Sequence, residues 1–358
     1  MTQLRTVQVL GGGGAGSSAH VRSLAAGLVA RGVRVTVCAP AELEHVYDFP
    51  GAGAHFAPVP GRSDPAAVGA LRSVCATADL VHAHGLHAAV RAALALSGLR
   101  IPLVVTWHTR APHGGARGQL LRLLERRSAR AAEVVLGTCS ELVDRARQHG
   151  ARDARLAPLA APVPPGRPGP PAALAKAGLG AADRPLVLAV GSLTPERGYA
   201  TLLDAAEWWR QLDPVPLVAI VGEGRERAAL ERRIAAEGLP VRLLGRRDDI
   251  AELLAAADVA VLPSRWEARS LLAQEALRRG VPLVATAVGG VPELVGEAAE
   301  LVPYGDAEAM ARAVAGLLGD EARRAELAAA GLAQSAGWQT EDETVEQMLS
   351  VYDELVGR

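Results

Sequence analysis

Lysine is nearly missing from this chain: Lys176 is the single one in 358 residues, and the rest of the positive charge is arginine. Like the abundance of alanine and glycine, this is a compositional bias and carries no function. Cysteine is scarce too. Cys38, Cys75 and Cys139 lie far apart and make neither a CxxC pair nor a metal-ligand spacing, so they read as buried structural thiols of a reduced, cytosolic protein. Neither sign of charge prevails. With 38 Lys and Arg against 39 Asp and Glu the formal net charge is -1, which argues against a generally nucleic-acid-binding surface. A hydrophobic content of 49% excludes a disordered chain. No apolar run approaches the roughly 18 residues that span a bilayer, and Met1 leads into a strand-like stretch without a basic and apolar leader. The expectation is a cytoplasmic protein, with peripheral docking at the inner face of a membrane left open.

The length exceeds what one hydrophobic core usually organises, so two domains are expected. Short apolar runs alternate with longer amphipathic stretches, the pattern of βα units feeding a parallel sheet. In the first half the strands fall at 7–10, 33–38, 80–83, 103–106 and 134–136, with helices at 18–30, 118–131 and 141–149. The stretch 157–185 then carries a cluster of prolines and reads as an interdomain connection, incompatible with a helix interior or a central strand. Strands resume at 186–190, 217–221, 241–244, 259–262 and 283–285, and 341–356 is a terminal helix. This predicts an N-terminal Rossmann-like domain over 1–165, a Pro-rich linker over 166–185 and a C-terminal Rossmann-like domain over 186–339. The helix within 340–358 is expected to pack back on the first domain.

Gly11, Gly13 and Gly16 form G-x-G-x-x-G between the first strand and the first helix, a pattern shared with dinucleotide sites. Such a site needs an acidic residue at the end of the second strand to hold the ribose, and here that strand ends Cys38-Ala39-Pro40. Two readings remain: backbone amides that let an anionic group approach, or glycines that merely permit a tight turn.

The second half carries polar residues just after predicted strands, where ligands bind in open α/β sheets. Ser192 and Arg197 follow the strand at 186–190 in GSLTPERG. Glu267 and Glu275 follow the strand at 259–262 in PSRWEARSLLAQEALRRGVPLVAT, with a helix starting near Ser270. Two glutamates eight apart also occur for purely structural reasons. Loss of a nucleoside diphosphate, however, needs cations and aligned amides against the developing negative charge, and sugar hydroxyls are well held by carboxylates.

The run PSRWEARSLLAQEALRRGVPLVATAVGGVPELV resembles the E-x7-E motif and following sequences of the retaining family-four glycosyltransferases of the GT-B fold. LAVGSLTPERGYATLLDA and VGEGRERAALE resemble two further segments of the donor half, and DLVHAHG and TWHT resemble strand ends of the acceptor half. The resemblance implies two Rossmann-like domains with an interdomain cleft that closes on the donor. It implies transfer of a hexosyl group from a UDP- or GDP-sugar to an acceptor hydroxyl, with retention of configuration and without metal or other cofactor. Glu275 would hold the ribose, Glu267 the donor sugar, and the amides of Ala268, Arg269, Ser270 and Leu271 the diphosphate beside Arg197. The glycine loop, through Gly13, Gly14 or Gly16, would approach the phosphate, and His108 would sit at the reacting sugar. His82, His84 and His87 read as strand-end or surface residues. HVRSLAAGLVARG and TWHT resemble phosphatidylinositol mannosyltransferases, so an inositol-type or lipid acceptor is one expectation, with a small-molecule or polysaccharide acceptor equally compatible.

Ser192 stands where the family has a diphosphate-binding arginine, and Arg269 where it has an aromatic residue; Arg265 or Arg269 could supply the charge. The alternatives are a nucleotide-sugar-binding protein without transferase activity and a sugar-nucleotide epimerase. The stretch from Arg117 to Arg130 places Arg122, Arg126 and Arg130 on one helical face. It reads as a solvated face over a core-facing leucine stripe, or as a contact with anionic lipid.

Overall fold

A computed structural model describes residues 3–12, 15–60, 64, 66–111, 115–160 and 172–357. The chain divides into two compact units, Met1–Val163 with Gln339–Arg358, and Pro164–Trp338.

The first unit is built on seven parallel strands: β1 (Arg5–Leu10), β2 (Arg34–Ala39), β3 (His55–Pro58), β4 (Leu80–His84), β5 (Leu103–Trp107), β6 (Val134–Gly137) and β7 (Ala154–Leu156). Their order in the sheet is β3-β2-β1-β4-β5-β6-β7. Strands β4, β5 and β6 are buried along their whole length, as central parallel strands covered on both faces must be. The strands β3 and β7 were not expected. Both are short, lie at the sheet edges and are only partly buried, so neither has a continuous apolar run. The helix Glu341–Val356 starts with a capping box between Thr340 and Glu343 and buries Val345, Met348, Val351 and Tyr352 in this unit's core.

The second unit has six parallel strands, β8 (Leu186–Val190), β9 (Leu217–Val221), β10 (Val241–Gly245), β11 (Val259–Leu262), β12 (Leu283–Thr286) and β13 (Glu300–Val302). Their order is β10-β9-β8-β11-β12-β13, and the unexpected strand is again an edge, β13. Both sheets reverse direction of growth once, between β1 and β4 and between β8 and β11. Loops on either side of such a switch point part and leave a crevice at the strand C-termini.

Two expectations need correction. The linker placed at 166–185 contains a helix, Ala172–Gly178, followed by Leu179 and Ala181 buried in the second unit's core. No proline falls between Pro171 and Pro185, and AALAKAG in that interval is free to coil; Lys176 ties it down through Asp258 at 2.7 Å. Residues 161–171 of that stretch lie outside the described residues. The leucine stripe of the helix Gly115–Ala131 does not face inward uniformly: Leu120 and Leu123 are 57% and 61% exposed, while Glu125, Ser128 and Ala129 are buried. A buried acid is tolerated because it is fully paired. Glu125 accepts from the Ala111 amide at 2.6 Å and from Arg145 at 2.6 Å, with His149 at 3.3 Å. Arg122 is partly buried and Arg126, Arg127 and Arg130 are exposed, and the Arg117 side chain lies outside the described residues.

Candidate functional site

In the second unit the polar residues gather on two loops flanking the switch point. The loop after β8 runs through Ser192 and the short 3-10 turn Pro195–Arg197; the loop after β11 runs from Pro263 to Ser270. They are joined backbone to backbone, the Arg265 amide donating to the Glu196 carbonyl at 2.9 Å. Gly198 makes the approach possible. Its φ of +69° suits glycine, and a Cβ there would overlap the Pro263 carbonyl oxygen. Thr286 at the end of β12 donates to the Ser264 carbonyl at 2.6 Å, and the Gly290 amide donates to the Glu267 carbonyl at 2.9 Å.

These supports bring Glu267 and Arg197 together. The guanidinium of Arg197 is ion-paired with the Glu267 carboxylate, which also accepts from Ser264 Oγ at 2.9 Å. Glu267 is mostly buried, with its side chain 12% exposed against 36% for Arg197. Tyr199 packs beside them, its hydroxyl close to Gly191, and burial raises its phenol far above the usual range. Ala268 and Ser270 are buried where the loop enters the helix Leu271–Arg278; Ser270 Oγ caps it by accepting from the Ala273 amide at 3.3 Å. Glu275 lies on that helix, largely buried and paired with Arg279 one turn later.

The other expected residues lie on the same two loops. Ser192 and Arg265 are exposed, and the guanidinium of Arg269 turns to the ring of Trp338, 5.9 Å from its centroid. Ser264, Tyr199 and Gly198 were missed. All three lie inside quoted motifs, Gly198 and Tyr199 directly after Arg197 and Ser264 three residues before Glu267.

In the first unit Gly13 and Gly14 lie outside the described residues, and Gly16 is in the helix Ala15–Ala30. His108 follows β5. Its ring stands 5.8 Å from His84 and 6.1 Å from His20, and burial lowers its pKa to about 4. His82 and His84, at the end of β4, are buried, whereas His87 is exposed. Burial also lowers His20 to about 3 and holds His82 and His84 well below the ordinary range, so the four rings are neutral near pH 7. Hydrogen bonds join Thr106, His82, Tyr352, Gln8 and His84 into one network. Sequence reading missed Gln8, His20 and Tyr352, since polar residues inside apolar runs show no partner until the strands are assembled.

Residues 174–334 match the family of group 1 glycosyl transferases, and residues 15–166 match the glycosyl transferase 4-like domain. A D-inositol 3-phosphate glycosyltransferase of Salinispora tropica is 31% identical, the match covering 88% of this chain and 72% of that protein. The chain belongs to the group 1 glycosyltransferases. A 2-deoxystreptamine N-acetyl-D-glucosaminyltransferase of Streptomyces fradiae is 34% identical over 49% of this chain, and the match spans 44% of that relative, less than half its length. The crystal structure of Anabaena Alr3699/HepE in complex with UDP-glucose superposes with a TM-score of 0.83 at 21% identity, over 98% of this glycosyltransferase and 100% of that chain. The shared architecture is the GT-B fold, two Rossmann-like domains on parallel sheets. Among the described residues of this group 1 glycosyltransferase no helix is long and apolar enough to cross a membrane, and no group of three or more His, Cys, Asp or Glu could hold a metal ion.

Proposed function

We propose that this group 1 glycosyltransferase moves a hexosyl group from a UDP- or GDP-sugar to an acceptor hydroxyl, retaining the anomeric configuration and needing no metal. The observation that carries this reading is the Arg197–Glu267 pair on two joined loops beside the N-terminus of the helix Leu271–Arg278. A carboxylate offers about four acceptor sites; Arg197 and Ser264 leave some of them for sugar hydroxyls. Arg197 and the first-turn amides stabilise the departing diphosphate, and Glu275 takes the ribose. The Glu267 charge holds the cation in position before donor arrives. The similar structure solved with UDP-glucose supports the donor class.

Retention follows if the acceptor attacks from the face the diphosphate leaves, with that phosphate accepting the acceptor proton. His108 then has no need to act as a base; neutral at pH 7, it orients a hydroxyl of the reacting sugars. Positioning and charge stabilisation supply most of the rate. The names of the two relatives, with D-inositol 3-phosphate and 2-deoxystreptamine in them, support an acceptor of the inositol type, free or lipid-linked. The exposed Leu120 and Leu123 beside Arg126, Arg127 and Arg130 suit peripheral contact with an anionic bilayer, which flotation with anionic and neutral vesicles tests.

Thermal unfolding against UDP-, GDP- and ADP-sugars, with Glu275→Ala as control, tests the donor site. A midpoint rise with a UDP- or GDP-sugar that vanishes in the variant is expected. No rise with any nucleotide at millimolar concentration overturns the reading. The exposed Ser192, at the family's arginine position, favours one second reading, donor binding without transfer, and a rise without glycoside formation on any hydroxyl compound selects it.

A further inference from the structure

The segment 107–111 carries His108, and it is held on both sides of that residue. At its start the Trp107 carbonyl accepts from the Thr138 amide at 3.3 Å, and the Trp107 ring meets the His149 ring edge-on with centroids 6.2 Å apart. At its end Arg110 donates to Glu141 at 2.9 Å, and the Ala111 amide donates to Glu125 Oε1 at 2.6 Å. Glu125 belongs to the helix Gly115–Ala131, and Glu141 to the helix Ser140–Gln148, which His149 follows.

The Ala111 amide needs such a partner. Ala111 is 4% exposed and lies beyond the end of β5, where that strand's ladder no longer serves its N–H, and a buried N–H outside regular structure has to be met by a side chain or water. The side chain it meets is itself fixed. Glu125 is 2% exposed, and Arg145 donates to both of its oxygens, from Nε at 3.2 and 3.1 Å and from Nη2 to Oε2 at 2.6 Å. His149 Nε2 stands 3.3 Å from Oε2. A guanidinium fork sets the plane of a carboxylate as well as its place, which aims Oε1 at the loop. Because a buried charge is costly unless its contacts are made, the carboxylate and the loop hold each other in one arrangement.

A carboxylate that only stapled the two helices together would need Arg145 and not Ala111. The bond to Ala111 reaches the chain three residues beyond His108, whose ring rests 5.8 Å from His84 on β4 and 6.1 Å from His20 on the helix Ala15–Ala30. Those two rings are placed by other elements. Slack in 107–111 would therefore shift His108 against them, and a misplacement of about 1 Å at a reacting centre costs about a hundredfold in rate.

We infer that Glu125 is a positioning residue: through the Ala111 amide it fixes the loop after β5 and so sets the place of the His108 ring. What His108 does there rests on the proposed function; the clamp does not.

Two measurements on the full chain test it. Amide hydrogen exchange of the unaltered protein, followed by NMR, reads the Ala111 bond directly and needs no variant to fold. Exchange at Ala111 is expected to be slowed at least about a hundredfold against an open chain, as for an amide freed only when the surrounding structure opens. Exchange at the open-chain rate overturns the inference.

The second measurement compares Glu125→Gln with Glu125→Met. Glutamine keeps an oxygen for the Ala111 amide and loses the charge that faces Arg145, whereas methionine, of similar length, keeps neither. Both variants should unfold at lower urea than wild type. With ¹⁵N label at histidine, the His108 ring signals are expected to stay in place in E125Q and to move in E125M. Nucleoside diphosphate release from a saturating UDP- or GDP-sugar should stay within about threefold of wild type in E125Q and fall about tenfold or more in E125M, with donor KM little changed. Unmoved His108 signals or wild-type kcat in E125M overturn the inference, as does an equal loss of kcat in both variants, the mark of a staple between helices. Donor binding is followed separately by thermal unfolding: its failure removes the transferase reading, and the amide exchange and His108 signals still decide the clamp.

Discussion

Gly198 lies so close to Pro263 that a Cβ on it would overlap the proline's carbonyl oxygen, and its φ of +69° is a conformation other residues avoid. This contact lets the loop after β8 lie against the loop after β11. Replacing Gly198 with alanine should cost about 1–2 kcal/mol from the left-handed backbone, plus the cost of parting the loops. Because Arg197 is the next residue, donor-induced stabilisation should fall with it. Urea unfolding with and without a UDP- or GDP-sugar checks both, and a variant with wild-type stability and donor response refutes the loop argument.

Glu267→Gln preserves shape and removes the charge that Arg197 faces. If the pair acts on the transition state, kcat should drop by about 10²–10³, the loss of one well-placed electrostatic group, with a much smaller change in donor KM. Steady-state kinetics on the donor separates the two constants. A raised KM with unchanged kcat would reassign Glu267 to ground-state binding.

The hydroxyl of Tyr352 is shared by Gln8 and His82 inside the first unit. Tyr352→Phe keeps the packed ring and strands two buried polar groups, which should cost about 1–3 kcal/mol. Chemical denaturation at pH 7 measures it, and a loss below about 0.5 kcal/mol would mean that the partners find other acceptors or donors.

Burial lowers His20 to about 3 and His108 to about 4, whereas the unfolded chain protonates its histidines near 6.5. Between about pH 6.5 and 4 the unfolded state binds more protons than the folded one, so stability falls as pH falls through that window. Each group contributes up to about 1.4 kcal/mol per pH unit. Urea midpoints at pH 6.5 and 5, above the main carboxylate range, should show a clear decrease with unchanged m. Flat stability across that interval would mean that these imidazoles are hydrated in the folded protein.

How much was readable varied with the kind of residue. The central strands of both sheets stand within a residue or two of their expected places, because a strand buried on both faces is a continuous apolar run. Edge strands β3, β7 and β13 escaped because one side meets solvent and their composition is that of loops. The helix Ala172–Gly178 escaped because prolines upstream coloured the whole stretch. At the candidate site, Glu267, Ser270 and Glu275 could be named because they lie within one short segment behind a strand.

The sequence by itself determined the doubly wound α/β architecture, the placing of chemistry at strand ends and the resemblance to glycosyltransferases, all of which depend on local periodicity and contiguous motifs. Only the tertiary structure decided the partners. Arg197 meets Glu267 across 70 residues, Gln8 meets Tyr352 across 344, and Arg269 turns to Trp338. A hydrogen bond or ion pair is set by distances of a few ångströms, and those distances exist only after the strands have paired and the loops at the switch points have been brought side by side.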